Sequence, residues 1–191
     1  MMKRNNFPFS AVLGLNHAKT AILIVLVNPR AGGLLISGPR GIGKSTLMRS
    51  TQELIERPWR DIPVSVTEDR LFGTIDTEKA IYSGQKKLYP GIINEADQGV
   101  LYLDDANLLR EDLLDFILNI AEVGAYQLER DGLSLRCDTS FTVIAAINPE
   151  SGMLSGACLD QFGLFVNVDN IHDENTRVEI LNRTISFEKD C

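Results

Sequence analysis

Apolar residues along this chain form short runs, separated by longer segments in which apolar and polar residues recur at helical spacing. The runs at 34–37, 100–103, 141–146 and 164–168 are mostly apolar, which is typical of strands buried on both faces of a sheet. The segments with helical spacing predict helices at 18–27, 45–57, 108–120 and 173–185. Strands that alternate with helices predict an α/β fold, with a mostly parallel sheet flanked by helices.

Residues that form turns and caps divide these elements. Asn28-Pro29 ends the first predicted helix, because the residue before a proline is disfavoured in helical conformation. Asp173 is placed to cap the last helix. A weakly alternating segment at 62–66 predicts a further strand, and 74–83 predicts a helix that stops at Gly84.

A β-hairpin is predicted in the second half of the chain. Two strand-like segments, 125–128 and 133–136, flank Glu129-Arg130-Asp131-Gly132. Asp-Gly between two such segments is a strong turn signal.

The first predicted strand leads into Gly38-Pro39-Arg40-Gly41-Ile42-Gly43-Lys44-Ser45, and Thr46 follows. This is the G-x-x-x-x-G-K-[ST] pattern of a phosphate-binding P-loop, with a strand before it and a helix after it. The glycines let successive backbone N–H groups turn into one concavity, where a phosphate lies at the positive end of the helix. Lys44 can reach the β and γ phosphates, and the Ser45 hydroxyl can bind Mg²⁺.

Two acidic residues, Asp104-Asp105, follow the apolar run at 100–103. They match a Walker B strand, whose carboxyl end lies at the sheet edge where the P-loop also opens. Asp104 is predicted to hold Mg²⁺ through water, because Mg²⁺ keeps much of its hydration shell. Asp105 is predicted to polarise the attacking water. The alternative is an acidic helix N-terminus, but the P-loop favours the nucleotide interpretation.

Asn148 ends the next predicted strand and precedes Pro149. An amide at that position can orient a water near the γ phosphate. The alternative is a turn, since asparagine before proline commonly ends a strand. Taken alone, the pattern favours the turn.

Composition restricts the classes of function. The chain has 191 residues, 44% hydrophobic and 24% charged, which suits one domain with a real core. A net charge of −7 argues against nucleic-acid and anionic-membrane partners. Cys137, Cys158 and Cys191 lack metal-type spacing, and His17 and His172 stand alone. We therefore expect no zinc site, no disulfide and no signal peptide, and a reducing, cytoplasmic location.

Several further segments carry a family resemblance. With the P-loop and the Walker B strand, they resemble the ATPase subunit of magnesium chelatase, the smaller AAA+ subunit called I. The likeness spans about residues 7–185. The segments are Phe7 to Gly14, Val66 to Gly73, Pro90 to Ile93, Gly99 to Leu109, Glu129 to Arg136, Asn148 to Glu150 and Leu159 to Leu164.

The resemblance implies a five-stranded AAA+ core with two insertions, one near 70–93 and one at the hairpin. It implies that ATP and Mg²⁺ are the cofactors, that Asn148 is a sensor and that Val12 and Leu13 line the adenine pocket. It also implies a homo-oligomeric ring, commonly a hexamer, that works with a D-type AAA+ subunit and a large porphyrin-binding H-type subunit. The output of this family is insertion of Mg²⁺ into protoporphyrin IX in chlorophyll synthesis.

The sequence departs from the family at three places. Gln161 stands where the family has the arginine finger that reaches the neighbour's γ phosphate, and Asp105 stands where it has the Walker B glutamate. The chain stops at Cys191, so we expect a single core domain, 1–191, without the C-terminal helical lid.

These departures make nucleotide binding better supported than hydrolysis and leave several hypotheses. The first is an ATPase subunit of a magnesium chelatase. The second is a finger-less or truncated AAA+ module that binds ATP without hydrolysing it and acts in assembly or regulation. A MoxR-like remodelling ATPase is a further alternative. A small-molecule P-loop kinase is disfavoured, because the chain lacks an arginine-rich lid.

Overall fold

The computed structural model describes residues 6–75, 88–130 and 133–189. Its centre is one sheet in which every neighbouring pair of strands is parallel. Its strands are β1 (Leu34–Ser37), β2 (Trp59–Ile62), β5 (Val100–Leu103), β8 (Thr142–Ile147) and β9 (Leu164–Asn167), in the spatial order β2-β5-β8-β1-β9. The predicted α/β class and the five-stranded parallel sheet are therefore confirmed.

Helices flank this sheet, and two antiparallel strand pairs extend from it. The pairs are β3 (Gly73–Ile75) with β4 (Leu88–Pro90), and β6 (Ala125–Arg130) with β7 (Leu133–Asp138). The α-helices are α1 (Asn16–Val27), α2 (Lys44–Gln52), α3 (Glu68–Phe72), α4 (Ile92–Glu95), α5 (Glu111–Val123), α6 (Gly156–Asp160) and α7 (Glu174–Lys189). Short 3₁₀ turns lie at Phe9–Ala11, Pro29–Ala31, Ala106–Leu108 and Pro149–Ser151.

Burial on both faces explains why the central strands are so apolar. Successive side chains of a strand point to opposite faces. In β1, Leu34 and Ile36 therefore enter the core cluster with α1 and α2, whereas Leu35 enters the cluster with α5. β5 and β8 divide their side chains between the two clusters in the same way. The sheet edge that carries the P-loop is thus fixed by packing from both sides.

The β6–β7 hairpin is tied to the first insertion through Tyr126. Its hydroxyl lies 2.6 Å from Asn94 Oδ1 and 2.7 Å from the Phe72 carbonyl oxygen. The Phe72 ring in turn lies edge-on to Phe116 of α5, with ring centroids 5.8 Å apart. This predicted hairpin is therefore confirmed, although its Asp131-Gly132 turn lies outside the described residues.

Two local predictions were wrong. A strand was predicted at 62–66, but the strand in this region, β2, lies before it and ends at Ile62. It ends there because Pro63 has no N–H to continue the ladder. The helix predicted from Thr74 is contradicted at its start, because Thr74 and Ile75 belong to β3 and pair with β4. The rest of that predicted helix and its stop at Gly84 lie outside the described residues.

The helix after the P-loop is shorter than predicted, since α2 ends at Gln52 rather than near residue 57. The Ser50 and Thr51 hydroxyls each donate to the Leu47 carbonyl oxygen, both at 2.7 Å. Side-chain bonds of this kind compete with the backbone ladder and weaken the end of a helix. The cap predicted for α7 is present: Asp173 Oδ2 accepts a hydrogen bond from Thr176 N at 2.7 Å. Over the described ranges, no helix is both long and apolar enough to cross a bilayer.

Candidate nucleotide-binding site

The P-loop follows β1 and has the backbone that its glycines predict. Gly41 and Gly43 have φ of 82° and 91°, a left-handed conformation that favours glycine. Gly38 needs its small size for another reason, because a Cβ there would lie 2.4 Å from the Val168 carbonyl oxygen. Gly38 N also donates to Ile147 O at 3.2 Å. The start of the loop is therefore held between β8 and the residue that follows β9.

Lys44 opens α2 and is buried, although it is charged. Its ammonium donates to the carbonyl oxygens of Gly38 and Pro39, at 2.5 and 2.8 Å. Burial lowers the pKa of the ammonium, whereas the nearby carboxylates of Asp105 and Asp104 oppose that shift. The lysine is thus held over the loop, where phosphates can replace the two carbonyl oxygens as its partners.

Ser45 and Asp104 come from distant parts of the chain and meet at the edge of the sheet. The Ser45 hydroxyl donates to Asp104 Oδ2 at 3.0 Å. Hydroxyl and carboxylate oxygens are hard ligands of the kind that Mg²⁺ prefers, together with waters and nucleotide phosphates. The donor set beside the loop therefore fits the predicted metal. Among the described residues, no group of three or more His, Cys, Asp or Glu side chains could hold a metal ion, so a metal here would depend on the Ser45–Asp104 pair together with nucleotide and water.

Tyr102 is a site residue that the sequence analysis missed. Its hydroxyl donates to Asp104 Oδ1 at 2.9 Å, and burial, followed by the neighbouring Asp104 carboxylate, raises its pKa. The signal was available, because residues two apart on a strand share one face.

Asp105 is the second residue after β5 and lies in the left-handed region, at φ 50° and ψ 48°. This turn directs its carboxylate toward the loop, where Arg40 Nη2 lies 3.8 Å from Asp105 Oδ2. The pair is solvent-exposed, with 66% and 36% of the two side chains accessible, so it adds little stability. Its value is positional, since it places the predicted catalytic carboxylate beside the P-loop.

Asn148 is buried and directly follows β8. The residue before it, Ile147, accepts the hydrogen bond from Gly38 N. Its amide caps the following 3₁₀ turn: Oδ1 accepts from Glu150 N and Nδ2 donates to Ser151 Oγ, both at 3.2 Å. Asn107, a second residue that the sequence analysis missed, donates from Nδ2 to the Asn148 carbonyl oxygen at 3.2 Å. The observed contacts are those of the turn alternative, and the sensor role stays a prediction.

The remaining predicted binding residues lie around the loop. Thr46 is exposed in the first turn of α2, and Ile42 is half-buried. Val12 is buried in the core cluster shared with α1 and α2, and Leu13 is half-buried beside it. The adenine contact implied for Val12 and Leu13 stays a prediction.

Gln161 lies at the surface, at the C-terminal end of α6. Its Nε2 donates locally to the Ala157 carbonyl oxygen at 3.3 Å. The backbone that follows is closely packed, because a Cβ on Gly163 would lie 1.7 Å from the Ala31 carbonyl oxygen. The position therefore presents a side chain outward from a rigid support.

A cavity of about 240 Å³ opens beside Ser45 and Asp104, between α2 and the β2–β5 side of the sheet. Ser45, Asp104, Tyr102 and Trp59 are among the residues that line it. With the loop, the buried lysine and the acidic strand end, the fold and site define a P-loop nucleotide-binding domain.

Comparison with known proteins identifies the family. The family model described as "AAA domain (dynein-related subfamily)" matches residues 33–161. The magnesium-chelatase 38 kDa subunit of Cereibacter sphaeroides is 36% identical, with 96% of this chain and 65% of that protein covered. Subunit ChlI of Cyanophora paradoxa is 33% identical, with 98% and 67% covered. The chain belongs to the AAA family, and within it to the group that includes these magnesium-chelatase subunits.

A solved structure supports the same assignment. It is the complex between subunits BchI and BchD of magnesium chelatase, with a TM-score of 0.81 and 36% identity, over 96% of this chain and 68% of that one. Membership of the AAA family confirms ATP and Mg²⁺ as the cofactors of this domain. The chain spans only about two thirds of the length of the curated relatives, 65% and 67% for the two above.

Proposed function

We propose that this chain binds ATP with Mg²⁺ and serves as the ATP-hydrolysing subunit of a magnesium chelatase. The observation that carries the proposal is the hydrogen bond between Ser45 and Asp104. It joins the P-loop and the Walker B strand at the place where Lys44 is buried over the loop. These three residues supply what bound Mg-ATP requires. Lys44 is a cation for the phosphates, and Ser45 and Asp104 provide a hydroxyl and a carboxylate for the metal.

In this proposal each residue has a defined role. The segment from Gly38 to Thr46 binds the phosphates at the N-terminus of α2 through its backbone N–H groups, of which Pro39 has none, and Lys44 binds the terminal phosphates. Ser45 and Asp104 hold Mg²⁺, which neutralises phosphate charge when bound. Asp105 polarises the attacking water, and Asn148 orients it.

The host complex is inferred from the relatives. The relatives above are named as magnesium-chelatase subunits, and the solved structure is a BchI–BchD complex. We therefore propose a homo-oligomeric ring that works with D-type and H-type subunits in the cytoplasm. The reaction it drives is insertion of Mg²⁺, as substrate, into protoporphyrin IX in chlorophyll synthesis.

One observation favours a second candidate, a module that binds ATP without hydrolysing it. Gln161 is uncharged, lies where the family carries its arginine finger and bonds locally to Ala157. An amide cannot neutralise the charge that a finger stabilises, an effect of roughly 10³–10⁵ in rate. In this candidate the nucleotide controls assembly.

The test is a titration with AMP-PNP and Mg²⁺, together with steady-state ATP hydrolysis. Lys44→Ala removes a charge-assisted hydrogen-bond donor worth about 1.5–3 kcal/mol, so affinity should fall roughly 10- to 150-fold. Lys189→Ala, at the exposed end of α7, is the matched control and should bind as the wild type does. Binding without turnover would favour the second candidate, and absence of binding by the wild type would exclude both.

A further inference from the structure

Tyr102 and Asp104 lie two residues apart at the end of β5 and therefore share one face of the sheet. Their contact is direct, since the phenol donates to Asp104 Oδ1 at 2.9 Å. The other carboxylate oxygen, Oδ2, accepts from the Ser45 hydroxyl at 3.0 Å. Each oxygen of the predicted metal-binding carboxylate thus has its own donor, one from the sheet and one from the P-loop.

The ring of Tyr102 is fixed by packing. Only 5% of the residue is accessible, and its ring lies against Trp59 with centroids 6.0 Å apart. Asp104, in contrast, is exposed. The terminal torsion of an aspartate is broad, so an exposed carboxylate rotates easily unless a donor holds it. The buried phenol supplies such a donor from a rigid position.

We propose that Tyr102 is a positioning residue for the Mg²⁺ site: its hydroxyl holds Asp104 Oδ1, so that Oδ2 faces Ser45 and the P-loop. The inference rests on the proposed binding of Mg-ATP and adds a residue to it. Groups that orient a metal ligand in this way typically contribute 10–100-fold to metal affinity. Tyr102 is the single aromatic residue of β5, whose other members are Val100, Leu101 and Leu103.

The decisive variant is Tyr102→Phe, which removes the hydroxyl and keeps the ring that packs on Trp59. AMP-PNP binding is measured at increasing Mg²⁺ and again in EDTA, with the fluorescence of Trp59, the single tryptophan of the chain, as one readout. We expect the Mg²⁺ concentration for half-maximal binding to rise on the order of 10-fold, while affinity in EDTA stays unchanged. Tyr126→Phe is the matched control, because that buried phenol bonds instead to Asn94 and Phe72.

A double-mutant cycle with Asp104→Asn separates positioning from packing. If Tyr102 acts through Asp104, adding Tyr102→Phe to Asp104→Asn should have little further effect on the Mg²⁺ dependence. An unchanged Mg²⁺ dependence in the single variant overturns the inference and leaves the proposed function standing. Equal loss of binding in EDTA and in Mg²⁺, including loss through unfolding, overturns it as well, because the role of Tyr102 would then be structural. Failure of the wild type to bind AMP-PNP refutes the proposed function itself.

Discussion

Replacing Gln161 with arginine tests whether an arginine at this position can act as a catalytic finger. The side chain lies at the surface and bonds locally to the Ala157 carbonyl oxygen at 3.3 Å. A surface substitution of this kind usually changes the free energy of unfolding by no more than about 0.5 kcal/mol. Gln161→Arg should therefore leave the fold intact, and any change in turnover can be assigned to the new guanidinium.

The expected gain follows from what an arginine finger contributes, roughly 10³–10⁵ in rate. We take the lower figure as the smallest gain expected of a working finger. A factor of about 10³ corresponds to about 4 kcal/mol of transition-state stabilisation. The side chain of Asp105 is one CH₂ shorter than that of glutamate, and misplacing a catalytic group by about 1 Å can cost on the order of 10² in rate. Any such cost affects the wild type and the variant equally and cancels from the ratio.

The assay is complementation in trans, since a finger serves the site of its neighbour. Wild-type protein supplies intact nucleotide sites without a finger, and the double variant Gln161→Arg/Lys44→Ala supplies a finger without a working site. A mixture of the two should turn over ATP faster than either alone. Gln161→Lys is the control, because it restores the charge without the planar fork that binds phosphate bidentately.

Two results would refute this reasoning. If the turnover of the wild type already equals that of Gln161→Arg, the lack of a positive charge at position 161 does not limit the rate. If the variant is faster but the mixture is not, the new arginine acts within its own chain, and the assignment to the subunit interface is wrong.

Two further predictions concern stability. Gly163→Ala would bring a Cβ to 1.7 Å from a backbone oxygen, so denaturant unfolding should show a loss of about 1–3 kcal/mol; Gly156→Ala in α6, which meets nothing within 4 Å, should be neutral or slightly stabilising and is its control. For Glu95, burial opposes ionisation, but hydrogen bonds from Arg60 and Arg70 outweigh it and lower the pKa of the carboxyl. The ionised Glu95 therefore stabilises the folded state above its unfolded-state pKa, about 4.3. This stabilisation is lost as pH falls through the lower pKa of the folded state. Glu95→Gln should therefore unfold more easily than the wild type at pH 7, with the difference closing below about pH 4, and a constant difference would contradict the ion-pair explanation.

Much of the fold could be predicted because burial on both faces leaves a plain pattern in the sequence. The apolar runs that became β1, β5, β8 and β9 were placed within a residue or two of their ends. The short helices α3 and α6, of five residues each, were not predicted. They are too short for helical periodicity, and side chains of Thr67 and Ser155 cap them, each bonded to a backbone N–H three residues on.

The site, like the fold, could be predicted only in part. Glycines with positive φ and the Lys44-Ser45 pair are local features, so the P-loop could be read from the sequence. The contact between Arg40 and Asp105 depends on how β1 and β5 are placed in one sheet, and sequence spacing does not give that. Asn148 shows the limit most clearly, since its pattern suited both a sensor and a turn, and the structure shows the contacts of the turn.

The charges around the loop give a reason to expect that Mg²⁺ strengthens nucleotide binding. Lys44 and Arg40 are cationic, while Asp104 and Asp105 are anionic, so the side chains alone offer no net positive charge to an incoming triphosphate. The partial positive charge at the N-terminus of α2 helps, but the chain as a whole carries −7. The phosphates would therefore meet two carboxylates unless Mg²⁺ lies between them. Any residue that holds Asp104 in place, Tyr102 first, should consequently act on nucleotide affinity only when Mg²⁺ is present.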